Sequence, residues 1–129
     1  MKKFALLAFT LFILGWIPGA GHAATTECNG YTIEGLDQTP ITATCTFTAR
    51  GAETYWIASS NPWKFVVKRG TTTVQTVTGG PGTAPTGALN SHAGDKVTYT
   101  GTSTCAQGQC FLSTFLEIGA TPADWFDLP

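Results

Sequence analysis

Between Ile41 and Arg50 apolar and polar residues alternate without a break, Ile41, Ala43, Cys45, Phe47 and Ala49 against Thr42, Thr44, Thr46, Thr48 and Arg50. A period of two sends each set to its own side of an extended chain, so this segment reads as a strand with one face buried and the other lined by threonine. A helix would scatter the same residues around its axis. Shorter stretches repeat the pattern at 31–34, 54–58, 63–68, 73–78, 96–104 and 110–118. Turn formers separate them: Gly51, Ser59-Ser60-Asn61-Pro62, Arg69-Gly70 and Ala93-Gly94-Asp95. In the last stretch Phe111, Leu112, Phe115 and Leu116 also fit a helical spacing. Its short length and the following Gly119 favour a strand buried on both faces. About seven short strands with no sustained helix predict an all-β fold, a small antiparallel β-sandwich with immunoglobulin-like or related Greek-key topology. The usual inter-sheet disulfide of immunoglobulin domains is not expected, because the residue two places after Tyr99 is Gly101.

Composition must be divided before it is used. Met1-Lys2-Lys3 is followed by an uncharged apolar run from Phe4 to Ile17, then by Pro18-Gly19 and the small residues around Ala20-Gly21-His22-Ala23. These are the parts of a secretory signal peptide over 1–23, cleaved after Ala23; the apolar run is too short to span a bilayer. A lipoprotein would need a cysteine at the cleavage point, whereas Cys28 follows Thr25-Thr26-Glu27. The remaining chain, 24–129, is 129 less 23, or 106 residues, and reads as a single domain with a tail at 120–129. Without Lys2 and Lys3 the balance is five basic residues against eight acidic, or 5 − 8 = −3. That is not the footprint of a nucleic-acid binder. No second long apolar run follows, so no membrane association is expected after signal cleavage, and the expected location is secreted or periplasmic.

All four cysteines, Cys28, Cys45, Cys105 and Cys110, lie after the signal. An even count in an exported domain reads as two disulfides, and Cys28–Cys45 with Cys105–Cys110 is the favoured pairing of three. The four residues between Cys105 and Cys110 suit a hairpin loop. There is no Cys-x-x-Cys pair and His92 is the only histidine after the signal, so neither zinc nor any other cofactor is expected.

Catalytic chemistry finds little support. His92 sits among turn residues, and no nucleophile elbow is present. The acids are scattered; Glu117, between Leu116 and Ile118, is the only acid of a predicted strand with apolar neighbours on both sides, and it reads as a strand acid pointing to solvent. A small hydrolase would have to recruit Glu117 or Asp95. The expectation is a non-enzyme, a binding or protein-interaction module of inhibitor or adhesion type, whose partner is a protein or an extracellular polysaccharide. Its oligomeric state is not legible.

Three features could carry binding. Thr42, Thr44, Thr46 and Thr48 on one strand, and Thr98, Thr100, Thr102 and Thr104 on another, form a hydroxyl grid on an outer face if the two strands are neighbours. Such T-x-T arrays resemble those of ice-binding proteins, and the same face suits a polysaccharide; threonine is also simply a good residue for an exposed strand face. Aromatic residues are the second feature. Trp63 shares a face with Phe65 and Val67 and is expected in the core, whereas only one of Tyr55 and Trp56 can point inward. Third, the segment 79–87 is too rich in glycine and proline to pack and suits a contact loop, while the tail carries Trp125, Phe126 and Leu128. The tail either folds back over an open end of the sandwich or docks on a partner. Lys64, Lys68 and Arg69 read as a solvated edge that discourages strand pairing.

Overall fold

The computed structural model describes residues 26–126; the expected signal peptide and Leu128 of the tail lie outside the described residues. Nine strands are present among the described residues: β1 (Tyr31–Asp37), β2 (Thr42–Thr48), β3 (Glu53–Ser59), β4 (Trp63–Arg69), β5 (Thr72–Gly79), β6 (Thr86–Leu89), β7 (Lys96–Thr102), β8 (Thr104–Ala106) and β9 (Gln109–Gly119). They form two antiparallel sheets. One has the order β1-β9-β3-β6, with β8 also paired to β9, and the other the order β2-β7-β4-β5. The pairs β1·β9, β2·β7, β3·β6 and β4·β5 are nested one within the next. A chain folded as one long double strand and then wrapped into two sheets gives this order, which is that of a jelly roll.

Alternation assigns the faces. From the four-stranded sheet, Phe47, Trp63, Phe65, Val67, Val97 and Tyr99 point inward; Tyr55, Ile57, Leu89, Leu112, Leu116 and Ile118 face them from the other sheet. Trp63 lies in an edge-on or stacked relation to Tyr55, Phe65 and Tyr99 and is 6% exposed, so this candidate is core, as its neighbours on the strand required. The Tyr99 hydroxyl, within the core, hydrogen-bonds the Thr114 hydroxyl. Such pairing removes the cost of burying two polar groups.

Only the ends of the glycine-rich segment pack, and residues 81–86 between them are exposed. A Cβ on Gly79 would lie 2.2 Å from the Trp63 ring, and one on Gly87 would lie 2.3 Å from the Tyr55 hydroxyl. Both glycines are the empty sites into which buried aromatics lie. Between them Gly80-Pro81-Gly82-Thr83 forms a tight turn with Gly82 at φ +89°, closed by the Thr83 N–H donating to the Gly80 carbonyl at 3.1 Å. Proline then glycine at the two central positions is what a type II turn requires.

The two disulfides are those expected. Cys28–Cys45 ties the segment before β1 to β2 in the opposite sheet, and Cys105–Cys110 joins directly opposed residues of the β8–β9 hairpin. The hairpin loop is tighter than expected, since Ala106 and Gln109 still pair and only Gln107 and Gly108 turn, both at positive φ. Asn61, fully buried, clamps this hairpin to the β3–β4 turn: its amide donates to Thr104 Oγ1 and the Phe111 carbonyl, and its Oδ1 accepts from the Ser113 N–H.

Three further expectations need correction. The strand 110–118 is not covered on both faces along its length, for Phe111 is 42% exposed. Lys64 and Lys68 are not on an edge, because β4 lies between β7 and β5. Glu117 does not reach solvent; it is 2% exposed beneath the C-terminal tail. After Gly119 the chain makes a one-turn 3-10 helix, Pro122–Asp124, and runs back over the outer face of the five-stranded sheet rather than over an open end.

Candidate functional site

The two threonine-bearing strands are neighbours. In the β2–β7 register Thr42 opposes Thr102, Thr44 opposes Thr100 and Thr46 opposes Thr98, and all six share the outer face because Ala43, Phe47, Val97 and Tyr99 occupy the inner one. The next two strands extend the same rows. Thr100 opposes Lys64 and Lys64 opposes Thr78; Thr98 opposes Val66 and Val66 opposes Thr76; Lys96, opposite Thr48, also opposes Lys68, and Lys68 opposes Thr73. The result is a four-stranded face of ten threonines, three lysines and one valine. Its elements repeat at about 4.8 Å between strands and about 6.7 Å along them.

Thr104 is absent from this face. The alternation continues through it in sequence, but at Ser103 the chain crosses to the other sheet, held by Ser103 N–H to the Ile41 carbonyl and Ile41 N–H to Ser103 Oγ. Thr104 then accepts from the Asn61 amide on β8. Within the face, Thr46 and Thr98 hydroxyls are 3.2 Å apart and Lys96 Nζ donates to Thr48 Oγ1 at 3.4 Å. No other hydroxyl of this face has a protein partner among the described residues. A depression of about 290 Å³ lies at one end, lined by Lys64, Thr78, Thr100 and Thr102 and by Pro62, Trp63 and Gly79. Its size is close to the lower limit for small-molecule sites.

Charge on the face is one-sided. Lys64, Lys68 and Lys96 are all the lysines among the described residues, and no carboxylate shares their face. The two arginines are already engaged. Arg69 holds Asp95 through two hydrogen bonds of 2.9 Å, and Arg50 contacts the buried carboxylate of Glu53. The Arg69 guanidinium, with the His92 backbone N–H, draws the Asp95 carboxyl down to about 2.

The remaining candidates gather on the opposite surface. Trp56, outward on β3, packs against Phe115 and Phe126, and Phe126 stacks on Phe115. Trp125 Nε1 donates to the Thr54 carbonyl, and the Phe126 N–H donates to Glu117 Oε1 at 3.0 Å. Desolvation beneath this cover raises the Glu117 carboxyl, against the lowering effect of the Phe126 N–H. Phe126 stays 53% exposed, so the tail both buries and rebuilds an apolar surface. Neither acid that a hydrolase would need is free: Asp95 is held by Arg69 and Glu117 is covered.

No family model matches the chain, and no curated protein and no solved structure matches it. Sequence reasoning finds seven threonines of the face by period and misses Thr73, Thr76, Thr78 and the lysines. Their alternation is visible in the sequence, but not the sheet order that places β4 beside β7 and β5 beyond it.

Proposed function

We propose that this chain is a non-catalytic binding protein working outside the cytoplasm, and that it binds an extended polysaccharide on the threonine face. The observation that carries the reading is the register in which Thr42, Thr44 and Thr46 oppose Thr102, Thr100 and Thr98, with most of their hydroxyls lacking a protein partner among the described residues. Rows of hydroxyls and methyls at regular spacing suit a ligand that itself repeats hydroxyls and apolar ring faces along one direction. Two disulfides are compatible with an oxidising compartment. Ice is a weaker occupant, because Lys64, Lys68 and Lys96 interrupt the rows.

Affinity electrophoresis against a panel of soluble polysaccharides tests the reading. Combined Thr44→Ala and Thr100→Ala should weaken binding about tenfold or more, at about 1 kcal/mol for each lost hydrogen bond. Phe126→Ala, on the opposite surface, should leave it unchanged. Equal binding by the threonine variant overturns the reading, and freezing-point hysteresis without glycan binding would give the face to ice.

A second reading, a protein partner docking on the other surface, is favoured by the exposure of Phe126, Phe111 and Leu36, the last at 66%. In that case Phe126→Ala, and not the threonine variant, abolishes capture of the partner.

A further inference from the structure

The threonine face carries charge of one sign only. Lys68 and Lys96 oppose one another directly across β4 and β7, in the middle of the sheet. Like charges at such positions destabilise a sheet. Nothing on the face offsets them, for the nearest carboxylate in sequence, Asp95, is buried and held by Arg69. Lys64 stands four residues from Lys68 on the same strand, about 13 Å away along it, and lines the depression with the Thr78 and Thr100 hydroxyls. Of the exposed acids, Glu34 and Asp37 lie on β1 in the other sheet and Glu27 lies just before it. A domain whose acidic residues outnumber its basic ones thus gathers all its described lysines on one face, among hydroxyls most of which have no protein partner among the described residues.

Resting on the polysaccharide reading above, we propose that the ligand is a polyanionic glycan, carrying carboxylate or sulfate groups, that lies along β4 with one anionic group at Lys64 and another at the Lys68–Lys96 pair. The lysines give the charge contacts, and the threonines of the flanking strands, Thr98 and Thr100 of β7 with Thr76 and Thr78 of β5, give the hydroxyl contacts beside them. Nucleic acid fits less well. Three cations are few for a phosphate backbone, and the aromatics Trp56, Phe115 and Phe126, which would stack on bases, are on the opposite surface.

Matched polymers sharing one backbone test the assignment: dextran, carboxymethyl-dextran and dextran sulfate, scored by retardation in affinity gels and by the shift in Tm each confers. The protein should bind one or both charged polymers and not neutral dextran, and binding should weaken as salt is raised. The preference between the two distinguishes carboxylate from sulfate. Lys64→Gln and Lys68→Gln should each weaken binding about tenfold, while Lys68→Gln should leave Tm without polymer equal to or above that of the parent, since it relieves the repulsion from Lys96. Unchanged binding by the triple Lys→Gln variant, or equal binding of neutral dextran, overturns the charge assignment. If that neutral binding is lost in the Thr44→Ala, Thr100→Ala variant, the polysaccharide reading survives alone. If no polymer binds, or if the threonine and lysine variants both bind like the parent, both fall. Tighter binding to a single-stranded oligonucleotide than to either charged dextran also overturns the inference.

Discussion

Glycine in this chain has two distinct uses, and substitution separates them. At Gly82 the backbone takes φ +89° and a Cβ would have no neighbour within 4 Å, so alanine there meets only backbone strain, about 1 kcal/mol. Gly79 and Gly87 are not at positive φ; they are vacant because Trp63 and Tyr55 occupy the space a methyl group would take. Gly79→Ala and Gly87→Ala should each cost about 2–3 kcal/mol in urea unfolding, more than Gly82→Ala, because a close-packed core cannot yield a buried ring freely. A second residue-scale prediction concerns Asp95. Its carboxyl is lowered from 3.8 to about 2, chiefly by the hydrogen bonds from Arg69, so the folded form favours the charged state. A depressed folded value contributes stability above the unfolded pKa and loses it as pH falls through the folded one. Tm of the parent should therefore fall between about pH 4 and pH 2, while Asp95→Asn should be less stable at pH 7 and converge on the parent near pH 2. A constant gap across that range would show that the Arg69 pair contributes nothing.

Among the elements, the tail has the most consequence for packing. It is fixed by the Asn29 side chain donating to the Asp124 carbonyl, by Trp125 Nε1 on the Thr54 carbonyl and by the Phe126 N–H on Glu117. It also meets Gly119 closely, where a Cβ would lie 2.4 Å from that of Asp124. Ending the chain after Ala120 uncovers Trp56, Phe115 and Glu117, and should lower stability by about 2–3 kcal/mol through lost apolar burial and hydrogen bonds. Glu117 gives this loss a pH signature. Its raised folded value means that stability is fully present below the unfolded pKa and is lost as pH rises through the folded one. Truncation returns the carboxylate to water, so the destabilisation should be larger at about pH 4 than at about pH 8 in calorimetry. A pH-independent loss would mean that the tail does not desolvate the acid.

For the whole molecule, the faces of the strands are legible in the sequence and their neighbours are not. Alternation assigns Phe47 inward and Thr46 outward correctly, since that choice depends only on the residue's own strand. Which strands lie side by side depends on long-range pairing, and three errors follow from it. Local pattern alone sends Lys64 to an edge, Thr104 to the threonine face, and Glu117 to solvent. In each case the residue's own alternation is intact and a distant segment decides its surroundings: β7 beside Lys64, Asn61 beside Thr104, Phe126 over Glu117. β6 escapes notice because Thr86-Gly87-Ala88-Leu89 has little strand propensity and forms only as a partner for β3. The disulfides are legible because the hairpin and the cysteine count constrain them locally.

The nested order also sets where the two ends of the described chain meet. β1 pairs with β9, and Asn29 reaches Asp124, so both ends leave from the side of the five-stranded sheet while the threonine face looks the opposite way. Anything attached at either end therefore approaches from behind. Copies tethered through their ends to a surface or to one another would present their hydroxyl faces together and unobstructed, a geometry in which weak single-site contacts multiply into avidity on a repeating polymer.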